Sequence, residues 1–327
     1  MLKSTNPCDI QKFTALQESI LLTFSKFFDF TTSLIAVPIT LYALRRCIKP
    51  NRFHINFRMI GATHCFCLFI HCAGRLIQNG SALYLWLFIQ PICEQRTYFG
   101  LCVPARLMYL FGLYSTSLSS LFMCIERTIA TKLYKKYEKK TWHLGVLLVS
   151  LQAFSSFLIT FVYYDNSVLD ERPLFCFFDL PRQYTFFCET LMIFVNVLAL
   201  WQCKRLNRIN MTIRIQKNRI ALSQKFQVEE NKLLIKVLNQ FTILAFISMI
   251  TFFTFGGFQH SLQSVMPVPL FLAVYELIHC LPVYAIVVLI LMMKFIERLR
   301  AQQALEIMNV VRTKEEAYFT FLKREWK

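Results

Sequence analysis

Asp29, His64, His71, Arg75, Arg106, Glu189, Glu276 and His279 all stand inside long apolar runs of the chain. An ionisable group in hydrocarbon costs several kcal/mol unless it is paired, and by default it marks a function. Arg75, Arg106 and Glu276 are the clearest charged intrusions. Two positives and one negative leave one positive charge for an anion, a carboxylate ligand or local water to satisfy, with Asp29 as the competing protein partner. His64 and His71 lie seven residues apart on one helix face, the nearest thing to a metallohydrolase pair, but no acidic residue stands in their run to complete it. A different constellation is the adjacent pair Glu126-Arg127. Paired, the two neutralise each other; released, Arg127 offers a fork of donors to the C-terminal end of a partner helix. The plain alternative is an interfacial arginine that snorkels to lipid phosphates.

These groups need elements to hold them. Seven apolar runs are legible: Phe27–Leu44, Phe57–Ile77, Leu101–Ile125, Leu144–Tyr164, Tyr184–Trp201, Phe241–Phe258 and Val268–Met293. Each has about the length of a membrane-spanning helix, and helices are the default spanning structure because lipid satisfies no backbone N–H or C=O. Cys102 and Arg127 are 25 residues apart, a helical rise of about 37 Å, so they belong at opposite membrane faces. On the same rise Arg106 lies about 6 Å inward of Cys102, and Glu276 about 12–14 Å inward of Val268. If the second, third and seventh helices adjoin, Arg75, Arg106 and Glu276 converge on a pocket lined by Tyr109 and Tyr275, with His279 close by. A welding Arg–Glu pair is the equally open structural reading. The patch Ala82–Ile92 is too short to span and is expected to extend the second helix or fold onto the outer surface.

Composition agrees with the membrane class. Of 327 residues 56% are hydrophobic, 15% aromatic and only 17% charged, with 33 phenylalanines. The net charge of +17 does not read as nucleic-acid binding, because the basic residues lie between apolar runs and not on one face. With the N-terminus outside, the inner segments carry 28 Lys and Arg and the outer segments 5. That asymmetry gives an outside N-terminus and an inside C-terminus. The expected organisation is a short extracellular N-terminus over 1–26, an all-α seven-helix bundle over 27–293, and a cytoplasmic tail over 294–327 containing an amphipathic helix. The first apolar run is expected to remain as an anchor, since no signal-peptide pattern precedes it.

The 12 cysteines show no zinc-type spacing, so no metal and no cofactor is expected. A bridge between Cys102 and Cys176 would tether the fourth-to-fifth connection over the bundle, with Cys93 the rival partner for either and free thiols the alternative. Asn79-Gly80-Ser81 is a candidate N-glycosylation triplet on the outer side.

Two stretches carry a family resemblance. Ile125-Glu126-Arg127-Thr128-Ile129-Ala130-Thr131, followed by Tyr137-Glu138, is similar to the inner end of the third helix in nematode serpentine chemoreceptors of the Sra superfamily (the Sra, Srab, Srb and Sre groups). Leu222-Ser223-Gln224-Lys225-Phe226-Gln227, followed by Glu230-Asn231, resembles that superfamily's Leu-Ser-x-Arg/Lys-aromatic-Gln-x-x-Glu-Asn stretch before the sixth helix. The resemblance implies a G-protein-coupled chemoreceptor at the plasma membrane of sensory neurons, often on cilia. Its expected partners are a small-molecule ligand, a heterotrimeric G protein and the bilayer. Glu126, Arg127, Tyr137, Lys225, Glu230 and Asn231 are the expected switch and coupling residues. The chain departs from rhodopsin-like receptors: the sixth run has no Trp-x-Pro, and Leu281-Pro282-Val283-Tyr284 stands where those place Asn-Pro-x-x-Tyr. No catalytic residue is expected. A seven-span channel or transporter is the competing class, against which the lack of two related halves counts.

Overall fold

A stretch that is apolar all round must be a helix in lipid, and the computed structural model is built of such helices. It describes residues 16, 18–49, 53–88, 99–133, 142–162, 182–216, 222–262, 265–278 and 281–325. In chain order the helices are α1 (Ile20–Ile48), α2 (Ile55–Phe88), α3 (Phe99–Lys132), α4 (His143–Val162), α5 (Arg182–Gln216), α6 (Leu222–Ser261), α7 (Val268–Ile278) and α8 (Leu281–Glu325). Seven stretches are long and apolar enough to cross a membrane, the last running from Val268 to Gln302 through α7 and α8. Among the described residues there is no strand.

Most helices overrun the apolar stretches that encode them. α2 continues to Phe88, so the Ala82–Ile92 patch extends the second helix as far as the described residues go. α8 runs unbroken across Met293 to Glu325. Lys, Arg, Glu and Gln past the hydrocarbon are good helix formers, and no proline interrupts either extension. α7 ends at Ile278 and α8 begins at Leu281, with the two residues between them outside the described ones. α1 is closed at both ends: the Ser19 hydroxyl accepts from the Leu22 amide at 3.4 Å, and Arg58 donates to the carbonyls of Cys47 and Ile48.

α3 is the axis of the bundle. It packs against α2, α4, α5 and α6, and 78% of its most apolar window is buried, against 28% for α1 and α4. The burial pattern is inverted relative to a water-soluble protein. Phe154, Phe157 and Phe161 of α4 point outward, whereas Ser115, Thr116, Ser117, Ser119 and Ser120 of α3 are buried. Lipid is as apolar as leucine, so helices associate through small residues and internal hydrogen bonds. Gln152 of α4 donates to Ser115 O, Ser115 Oγ and Ser119 Oγ at 2.9–3.2 Å. Asn196 of α5 donates to Ser117 Oγ at 2.7 Å. At the α2–α3 seam the backbones touch: a Cβ on Gly112 would lie 2.6 Å from the Cys67 carbonyl oxygen, and one on Gly74 would lie 2.6 Å from that of Ala105. Only glycine fits at either place.

Candidate functional site: two polar clusters at the ends of the bundle

Near the Cys102 end, the local sequence places one charged residue on each of several helices, with its stem among apolar neighbours. Arg75 of α2 is fully buried. Its Nε lies 2.6 Å from Asp29 Oδ2 of α1, and its Nη2 donates to Glu276 Oε2 of α7. Asn79, one turn along α2, donates to the same Asp29 oxygen at 2.6 Å. One guanidinium therefore ties three helices together. Its carbon sits 5.1 Å from the centre of the Tyr109 ring, and that of Arg106 lies 5.7 Å from the same ring. His71 Nδ1 is 2.7 Å from the Tyr109 carbonyl oxygen. Tyr275 is buried beside Glu276 on α7.

Arg75 and Glu276 thus meet, and Arg106 shares Tyr109 with Arg75. Asp29 supplies the second carboxylate to Arg75, so the tally of two positives and one negative leaves out a protein charge that is present. Asn79 is the candidate glycosylation residue. It is 1% exposed inside α2, and the nitrogen that a glycan would occupy is bonded to Asp29. The Asn-Gly-Ser triplet reads as a loop, but the apolar residues after it keep the helix going. His279 lies outside the described residues. A groove of about 920 Å³ opens between α1 and α2, walled by Phe24, Phe27, Tyr84, Trp86 and Phe88, and none of the ligand candidates lines it.

At the opposite end, both guanidinium edges of Arg127 are occupied. Nε and Nη2 donate to the two Glu126 carboxylate oxygens, and Nη1 donates to Asn231 Oδ1 of α6 at 3.0 Å. The Phe57 ring of α2 lies 5.2 Å beneath its carbon. Glu126 and Arg127 are both buried, so the snorkelling alternative does not describe this arginine. Side bonds reinforce the seam: Gln202 to Thr128 at 2.9 Å and Asn210 to Thr131 at 3.3 Å join α5 to α3. Lys225 and Glu230 fall in the first turns of α6, while Tyr137 lies outside the described residues. Cys102 is disulfide-bonded; Cys176 and Cys93 lie outside the described residues.

Among the described residues no three His, Cys, Asp or Glu gather as metal ligands. Sequence reasoning missed the Ser115–Ser120 run, Gln152 and Asn196 as the polar core of the bundle. The available signal was a hydrogen-bonding side chain in each apolar span.

A single-chain bundle of seven spans, with a buried arginine bridging its third and sixth at one end, has the architecture of serpentine seven-transmembrane receptors. The family described as "Serpentine type 7TM GPCR receptor class ab chemoreceptor" matches residues 7–327, and the chain belongs to it. Among its relatives in Caenorhabditis elegans, Serpentine receptor class alpha/beta-14 is 26% identical over 67% of this chain and 59% of its own length. Serpentine receptor class beta-15 is 26% identical over 59% of this chain and 57% of its own length. Serpentine receptor class beta-13 is 21% identical over 89% of this chain and 86% of its own length. The match thus spans less than two thirds of the first two relatives.

Proposed function

We propose that this chain is a ligand-activated chemosensory receptor that signals through a heterotrimeric G protein and catalyses no reaction. The observation that carries the reading is Arg127, held between Glu126 on its own helix and Asn231 on α6. A buried charge with partners on two helices is a bistable element: if α6 moves away, the guanidinium loses Asn231 and is free to meet another acceptor. The excess of basic residues supports an Arg127 end in the cytoplasm and a Cys102 end outside, and the proposed site is the plasma membrane of sensory neurons, at the cilium. Tyr137, Lys225, Glu230 and Asn231 then flank the coupling surface.

The Cys102 end takes the small-molecule ligand. Within it, Arg75, Asp29 and Glu276 form the weld that holds α1, α2 and α7, since their charges largely satisfy one another. Arg106, Tyr109 and Tyr275, with His279, are the proposed ligand contacts. A bridge from Cys102 to Cys176 closes the outer face. The test measures guanine-nucleotide exchange and ion conductance side by side in cells expressing the chain, screened with odorants and small metabolites. Exchange without current supports the receptor; current without exchange returns the chain to the channel class.

A further inference from the structure

One buried acid takes no part in either cluster. Glu189 of α5 is 7% exposed. Its Oε2 has no hydrogen-bond partner, and no ion pair reaches it among the described residues. It does not lie on the lipid face: Cys188, Glu189, Met192, Val195, Asn196 and Ala199 form the buried stripe of α5. The carboxylate is turned toward α6, because a Cβ on Gly257 would lie only 2.9 Å from Oε2. Glycine at 257 leaves the room in which that carboxylate sits.

Its depth follows from the register of α3 and α5. Asn196 bonds Ser117, Cys124 bonds the Ala199 carbonyl, Gln202 bonds Thr128 and Asn210 bonds Thr131, so the two helices run parallel with an offset of 74–79 residues. That range sets Glu189 level with Leu110–Ser115 of α3, on the Cys102 side of Ser117. By helical spacing Arg106, Leu110, Leu113 and Ser117 share one face of α3, the face that Ser117 turns to α5. Glu189 therefore stands on the α5–α6 wall of the half of the bundle assigned to the ligand, across from the Arg75 weld on the α1–α2–α7 side.

We infer that Glu189 is the anchoring group for a small ligand bearing a protonated amine, held between α3, α5 and α6 at the Cys102 end. The inference rests on the receptor reading and adds the ligand's chemical class. A carboxyl buried without a partner is costly, and Glu189 forms no ion pair among the described residues. An ammonium provides both the opposite charge and the donors that Oε2 lacks. The apolar stripe on either side, Met192 below and Phe253 on α6, suits the hydrocarbon part of such a ligand.

Binding to the full chain in lipid nanodiscs is the test, read as the rise in melting temperature with added compound. The probes are a panel of alkylamines and arylalkylamines, each with the alcohol and the carboxylate of the same skeleton. At least one amine is expected to bind the native chain about tenfold or more tighter than its alcohol, the scale of a charged hydrogen bond. Glu189→Gln is expected to remove that preference and leave the alcohol unchanged. Gly257→Ala keeps the charge but displaces the carboxylate, and is expected to weaken the amine. If no amine binds, or if each binds no better than its alcohol, the inference is overturned from the native chain alone. An amine preference that survives Glu189→Gln overturns it too. Nucleotide exchange on the same samples separates the two readings. Amine binding without exchange counts against the receptor reading only, whereas exchange driven by neutral or acidic compounds and indifferent to Glu189→Gln counts against this inference only.

Discussion

Arg127 Nη1 donates to Asn231 Oδ1 at 3.0 Å, linking α3 to α6 at the end of the bundle opposite Cys102. The bond costs little to break compared with the Arg127–Glu126 pair, which stays within one helix whatever α6 does. This makes Asn231 the point at which the link opens first.

Asn231→Ala is expected to raise basal nucleotide exchange, by up to about tenfold if the lost bond is worth about 1.5 kcal/mol in the resting state alone. The check is exchange on heterotrimeric G protein in isolated membranes, normalised to receptor content. Basal exchange at or below that of the native chain would remove Asn231 from the resting link.

Arg75→Ala is expected to be far more damaging to folding than to signalling. It leaves Asp29 and Glu276 as buried acids without their cation, a loss of about 3–5 kcal/mol. Surface delivery and melting temperature should both fall steeply. Normal delivery and melting would mean that the trio welds nothing.

How much of this was legible in the sequence divides along a physical line. Hydrocarbon thickness sets the length of each apolar run, so the seven spans were readable from composition alone. Arg75 and Glu276 announced themselves because charge is rare in such runs. Their third partner was less visible: Asp29 lies near the start of the first run, and only the packing of α1 against both α2 and α7 brings it to Arg75. Asn79-Gly80-Ser81 is locally turn-like, yet it lies within α2, because the helix is decided by the apolar residues beyond it. The serine run at 115–120 looked unremarkable because which face a serine shows depends on neighbours far away in sequence.

The α2–α3 seam gives a cleaner packing test. Gly112→Ala forces a methyl into the Cys67 carbonyl and the His71 backbone, with an expected loss of about 1–3 kcal/mol. Gly61→Ala is the control, since its nearest neighbour would be Cys47 Sγ at 3.8 Å, and the helix gains about 0.5–1 kcal/mol. Melting of the two purified variants in detergent should move in opposite directions. A Gly112→Ala chain as stable as the native one contradicts the close approach.

Cys102 is expected to be bonded to Cys176 in surface-expressed chain. Peptide mass mapping without reduction checks the pairing. A Cys93–Cys176 peptide, or free thiols at both positions, rules it out.

The most direct test asks whether Arg127 carries activation. Nucleotide exchange is measured in membranes bearing Asn231→Ala and in membranes bearing Asn231→Ala with Arg127→Ala, at equal surface density. Because the arginine is proposed to act on the G protein once released, the account predicts raised exchange in the single variant and none above background in the double one. Equal exchange in the two would contradict it.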